Sequence, residues 1–240
     1  MADIVYPLYV VIDASMSMNK ETNGQRRIDL AREIPLALLR LYEEDNSLIS
    51  SVQVSVITFN TEAKCLMELG EIPKIRSLPL AFEAKSKTFY GVAFQKTFER
   101  INADFEKLSK TTKFMKPAVV FVTDGRPNDD PGERNSAFRR LVPVDKVSNN
   151  PDLSKFANSP QVIMLGIDVA NEKILEAYAS HPNFARKASD SLAIDEQLKL
   201  IARWVKDAVS SSLAKPQMNP DEPWLDWVSD DDDDDEIIWS

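Results

Sequence analysis

Pro7-Leu-Tyr-Val-Val-Ile-Asp13-Ala-Ser15-Met-Ser17 decides the fold: an apolar, β-branched run stops at an aspartate and is followed by two spaced hydroxyls. Such a run reads as a strand buried on both faces, the pattern of a parallel sheet covered by helices. Open sheets of that kind bind ligands just beyond the carboxyl ends of their strands. Asp13, Ser15 and Ser17 therefore stand where the site belongs, and they offer oxygen alone. An all-oxygen set suits a hard cation such as Mg2+, Mn2+ or Ca2+.

Working outward, Ala118-Val-Val-Phe-Val-Thr-Asp124-Gly125 repeats the pattern and brings a second carboxylate to the same edge. Val52 to Phe59 and Val162 to Ile167 read as further buried strands, with short edge strands at Cys65 to Leu69 and Phe184 to Lys187. Between them lie helical spacings. Ile28, Ala31, Ile34, Leu38 and Leu41 form one stripe, in which Pro35 predicts a kink near Ala31 or a start at Ile34. Val92 or Phe94, Phe98, Ile101, Phe105 and Leu108 form a second, read as core. Ile194, Leu198, Ile201, Val205 and Ala208 form the last, with Ser210-Ser-Ser at its fraying end. Shorter helices are expected over Glu133 to Leu141 and Glu172 to Ala179. Gly70 to Lys87 and Pro143 to Pro160 read as irregular connections. Alternating strands and helices predict an α/β, Rossmann-like domain with a central, mostly parallel sheet and helices on both faces.

Composition bounds the function. At 240 residues the chain holds one such domain, expected over 1–213, with an acidic tail over 214–240. The net charge of -9 belongs to that tail: ten acids and no Lys or Arg follow Pro216, leaving 28 acidic against 29 basic residues before it. An acidic tail argues against nucleic acid as partner. No apolar stretch is long enough to span a bilayer, and the first residues do not form a signal peptide, so the expectation is a cytoplasmic protein without a membrane anchor. Cys65 and His181 are the only residues of their kinds, which excludes an intrachain disulfide and a cysteine-based zinc site. His181 reads as a loop residue and Cys65 as a small strand hydrophobe.

Asp13-x-Ser15-x-Ser17, the later Thr88 and Thr123-Asp124-Gly125, in that order, resemble the three-part metal-ion-dependent adhesion site (MIDAS) of von Willebrand factor A (vWA) domains. More narrowly, Tyr9 to Asp13, Val54 to Phe59, Val122 to Asp130 and Trp204 to Ser212 look like the bacterial TerY-like branch associated with tellurium resistance. The likeness covers about residues 4 to 213. It implies the vWA fold, one divalent cation and protein binding rather than catalysis. Ser15, Ser17 and Thr88 would be hydroxyl ligands, while Asp13 and Asp124 hold the metal directly or through water. The sequence departs from the family at Met16, where Gly is usual, and at Ser86-Lys87, where a Gly-Gly pair is usual.

With three neutral hydroxyls and at most two carboxylates, a divalent ion stays under-neutralised. A partner's Asp or Glu can then complete its shell. The resemblance implies a protein phosphatase or a Ser/Thr kinase as that partner. Arg126 and Asp129 are candidate partner contacts beside the site, although Asp129 and Asp130 also suit a Pro-rich turn. In the tail, Trp224, Trp227 and Trp239 alternate with acids as a docking motif would, on another protein or on this protein's own metal. Two rival functions remain. One is a metal-assisted phosphohydrolase with Asp13 as nucleophile; against it, no second Asp follows two residues later and no Lys lies in a phosphate-binding loop. The other is a scaffold whose site is vestigial.

Overall fold

The computed structural model describes residues 3–22, 24–44, 49–78, 83–108, 110–142, 160–167, 170–188, 192–213 and Leu225. Strand β1 (Asp3–Asp13) is its axis, and Leu8 to Ile12 have no exposed surface. On one side β1 pairs in parallel with β4 (Val52–Phe59), which carries the antiparallel edge strand β5 (Ala63–Glu71). On the other side it pairs first with β6 (Thr112–Phe114) and then with β7 (Ala118–Thr123). Beyond β7 lie β8 (Gln161–Gly166) and β9 (Ala185–Lys187), both parallel. The expected edge strands are both present, and β5 is longer than the sequence suggested. Strands β2 (Glu21–Thr22) and β3 (Gln25–Arg26) form a separate small hairpin.

Alternation along β1 sorts the helices onto two faces. Leu8, Val10 and Ile12 pack with α1 (Arg27–Ala31), α2 (Glu33–Glu44) and the last helix, α6 (Ile194–Leu213). Tyr9 and Val11 pack with α3 (Tyr90–Leu108), α4 (Pro131–Leu141) and α5 (Glu172–Tyr178). On this second face the rings of Phe59, Tyr90, Phe94, Phe121, Phe138 and Tyr178 form one aromatic cluster with centroid separations of 4.7 to 6.0 Å.

The Pro35 expectation is met at Arg32, which separates α1 from α2; Pro35 then sits in the first turn of α2, where its missing N–H costs no helical bond. Two readings shift. Helix α6 continues through Ser210-Ser-Ser to Leu213. The stripe of α3 is Tyr90, Ala93, Phe94, Thr97, Ile101 and Asp104, with Val92, Phe98, Phe105 and Leu108 only partly buried. Pro143 to Ser159 lies outside the described residues, as do Trp224, Trp227 and Trp239. Leu225 is described: it is 1% exposed, packs into the α6 face of the core, and its carbonyl accepts from Gln161 Nε2 at 2.6 Å.

Candidate metal centre

Three segments meet at the carboxyl edge of the sheet. After Asp13 the ladder makes one more bond, from the Ala14 N–H to the Phe59 carbonyl, and the chain then turns into a 3-10 segment, Met16–Asn19. The fully buried Met18 side chain anchors this loop. Asp13 Oδ1 accepts the Ser15 N–H at 2.8 Å, which fixes the direction in which Ser15 leaves the strand. Ser15 Oγ lies 3.0 Å from Ser17 Oγ, and Ser17 Oγ donates to Asp124 Oδ1 at 2.7 Å. Strand β7 ends at Thr123, whose hydroxyl donates to Asp13 Oδ2 at 2.7 Å.

The third segment is tied in by its backbone. Lys85 N–H donates to Ala14 O, Met16 N–H to Ser86 O and Phe89 N–H to Asn60 O. Thr88 is clasped by Asn128: its N–H donates to Asn128 Oδ1 at 3.1 Å, and Asn128 N–H returns a bond to its carbonyl at 2.7 Å. A Cβ added to Gly125 would lie 3.3 Å from Thr88 Oγ1 and 3.9 Å from Ser17 Oγ, so both hydroxyls converge on this glycine and a side chain here would crowd them. The structure thus brings Asp13, Ser15, Ser17, Thr88 and Asp124 together. All but Ser17, which is half-buried, are buried.

Burial, and then the charge of Asp124, pushes the Asp13 carboxyl up to about 7, against the lowering effect of the Thr123 and Ser15 hydrogen bonds. Two fully buried acids side by side lack positive charge. Arg27 supplies part of it, with one guanidinium nitrogen 3.0 Å from Asp124 Oδ2. The donors fit a hard divalent cation: all are oxygens, each carboxylate has lone pairs beyond its protein bonds, and the acids lie close enough to repel. Among the described residues no three His, Cys, Asp or Glu side chains cluster as a metal cage would require, so a metal here relies on hydroxyls.

The remaining candidates fall elsewhere. Asp129 is turned inward: its Oδ2 accepts the Gly91 N–H at 2.6 Å, capping α3, and its Oδ1 pairs with Arg134 at 2.9 Å. Asp130 caps α4 through the Gly132 and Glu133 N–H groups. Arg126 is exposed next to the site, as are Lys85, Lys87 and Met16, the last at 66%. Lys87 is therefore part of the surface around the site, not of its interior. His181 accepts from the Asn183 N–H and starts a short turn. A groove of about 790 Å3 opens between Thr61, Phe89, Val92 and Arg140. Its walls carry both signs, with Glu62, Glu99, Glu133 and the Arg134-paired Asp129 against Lys96 and Arg140.

Sequence reasoning missed Arg27, Tyr90 and Asn128 and quoted Thr123 without giving it a role. Tyr90 donates to the Gly125 carbonyl at 3.0 Å and so braces the second loop from the aromatic cluster. No spacing rule separates Arg27 from a solvated arginine in a polar stretch.

The von Willebrand factor type A domain family matches residues 8–199. The pilus adhesin SpaC from Lactobacillus rhamnosus GG superposes with a TM-score of 0.60 at 15% identity, over 85% of this chain and 31% of that one. Proximal thread matrix protein 1 from the mussel byssus, solved with zinc in its MIDAS motif, gives 0.57 at 15% identity, over 89% and 48%. Manganese-loaded TRAP protein from Plasmodium vivax gives 0.51 at 15%, over 84% and 73%. The chain spans about half of the mussel protein and about a third of the adhesin. At such identities the likeness establishes the fold alone. No curated protein sequence matches the chain. With four-fifths of its residues inside the family match and the fold shared, this chain belongs to the von Willebrand factor type A domain family.

Proposed function

We propose that the chain is a metal-dependent protein-binding module: Asp13, Ser15, Ser17, Thr88 and Asp124 hold one divalent ion of the Mg2+, Mn2+ or Ca2+ class, and a partner's Asp or Glu completes its shell. The observation that carries the reading is the Ser15–Ser17–Asp124 oxygen chain, 3.0 and 2.7 Å, closed on its other side by Thr88 at Gly125. The bound ion would supply a point of positive charge. Asp13 and Asp124, both ionised, would balance its charge, and the hydroxyls would orient it without adding charge. Two relatives, the mussel protein with zinc and the Plasmodium protein with manganese, are metal-bound, which supports a divalent ion in this fold. The exposed Met16, Lys85, Lys87 and Arg126 suit an acidic partner segment with an apolar residue beside its metal-binding acid.

The finer reading is a TerY-like role in a bacterial stress or tellurium-resistance system, with a protein phosphatase or Ser/Thr kinase as partner. It rests on the sequence resemblance. The phosphohydrolase alternative is disfavoured because Ser15, not a second Asp, follows Asp13 two residues later and no Lys lies in a phosphate-binding loop. The test is a pull-down of candidate partners in Mg2+ against chelator, with Asp13→Ala as control and phosphatase activity measured in parallel. Metal-dependent capture lost in Asp13→Ala supports the module. Turnover lost in Asp13→Ala would replace it with the enzyme.

A further inference from the structure

The buried pair between Arg27 and Asp124 is not needed to complete the donor set, and this makes it informative. The hairpin of β2 and β3 delivers Arg27: Gly24 turns at a φ of +77°, and the Arg27 N–H is held by the Lys20 carbonyl. Its neighbour Arg26 pairs outward with Asp29, so Arg27 alone carries charge inward. The Arg27 side chain is 9% exposed and that of Asp124 not at all. A pair buried this deeply contributes little to stability by itself, because desolvation cancels most of the attraction.

Geometry suggests another role. Arg27 takes Asp124 Oδ2, while Ser17 takes Oδ1, so the guanidinium and the hydroxyl set bind different oxygens of one carboxylate. Arg27 can stay in place while a metal occupies the hydroxyl side. The charge count follows. Two ionised carboxylates, one guanidinium and one divalent ion leave a single positive charge, which one outside carboxylate cancels. Without Arg27 the ion and the two acids already sum to zero.

Building on the metal-module reading, we infer that Arg27 is a fixed counter-charge that keeps the loaded site one unit positive, strengthening its hold on a partner's carboxylate at the expense of metal affinity. Arg27 is a positioning and specificity residue acting through Asp124. A residue that merely props Asp124 moves both affinities the same way; a counter-charge moves them in opposite directions.

The experiment titrates Mn2+ into the full chain and its Arg27→Gln and Arg27→Lys variants by calorimetry. An oligo-aspartate peptide is then titrated into each Mn2+-loaded protein, followed by water-proton relaxation of the bound manganese. Arg27→Gln is expected to bind Mn2+ about tenfold more tightly, since a nearby like charge is gone. It is expected to bind the peptide about tenfold more weakly. Arg27→Lys, which keeps the charge and loses the planar fork, stays near wild type in both. A loss of Mn2+ affinity in Arg27→Gln, the outcome for an orienting prop, or no change in either affinity, overturns the inference. If Arg27→Gln does not fold, Arg27→Lys decides: a loss of about tenfold in either affinity points to the fork's geometry and overturns it, and wild-type values uphold it. A wild type that binds no Mn2+ removes the metal reading and this inference together. A wild type that binds while the variants disobey removes the inference alone.

Discussion

Thr123 donates its hydroxyl proton to Asp13 Oδ2 at 2.7 Å across 110 residues of sequence, locking the end of β7 to the end of β1 at the point where the site begins. Thr123→Val keeps the shape and removes the donor. The variant should lose about 1–3 kcal/mol of stability from the unsatisfied buried oxygen and about 10–100-fold in Mn2+ affinity, because Asp13 is no longer held in place. Calorimetry with a thermal melt checks both, and unchanged metal affinity would show that Asp13 needs no such support.

Asp13 also sets a pH dependence. Burial pushes its carboxyl up to about 7 in the folded protein from the 3.8 of a free aspartate, so between these values the native state holds a proton that the unfolded chain has released. A raised carboxyl pKa favours the fold at low pH. This contribution is present below about pH 4 and is lost as pH rises to about 7. Metal binding displaces that proton and should strengthen over the same interval. Melting curves with and without Mn2+ should separate progressively from about pH 5 to about pH 8, and a separation that shrinks with pH contradicts the assignment.

Ser86 stands where the family usually places glycine, and its φ of +64° lies in the left-handed region. Its carbonyl accepts from Met16, so the strained residue, together with its neighbour Lys85, joins the Thr88 segment to the first loop. Ser86→Gly relieves the Cβ clash at little local cost, and stability should rise by about 0.5–1 kcal/mol. A chemical denaturation midpoint that fails to rise would show that the chain gains nothing from relaxing there.

Leu225 constrains how the tail can act. It is buried next to Gln161, which begins β8 at the sheet edge opposite Asp13 and Asp124. Truncating at 215 therefore removes a core leucine, worth roughly 2 kcal/mol, whereas truncating after Leu225 removes the acidic run and keeps the anchor. If Asp230 to Glu236 compete for this protein's own metal, only the second truncation reports it cleanly: affinity for an acidic partner should rise with the melting temperature unchanged. Equal affinities dismiss the self-docking version.

Much of the fold was legible because β1, β4, β7 and β8 are buried on both faces and so read as unbroken apolar runs ending at a common edge. Asp13, Ser15, Ser17 and Asp124 were legible for the same reason, since the ends of β1 and β7 place them, whereas Thr88, in the irregular segment before α3, came only from the resemblance. Polar residues inside the core were not. Thr97 satisfies itself by donating to the Ala93 carbonyl, and Asp104 pairs with Arg100 and Tyr9. A stripe drawn from hydrophobicity alone thus rotates away from the true face of α3. Arg27 was hidden likewise, because only its approach to Asp124, 97 residues away, distinguishes it from a surface cation. Asp129 looked free in the sequence because the groups it binds, Gly91 N–H and Arg134, become neighbours only when α3 and α4 pack.

Calorimetric titration of Mn2+ into the wild type, Asp13→Ala and Ser17→Ala tests the central claim most directly. The account predicts one site in the wild type, none in Asp13→Ala and a site weakened by about tenfold or more in Ser17→Ala, with all three proteins folded by circular dichroism. A folded wild type that takes up no ion, or an Asp13→Ala variant that binds as the wild type does, contradicts it.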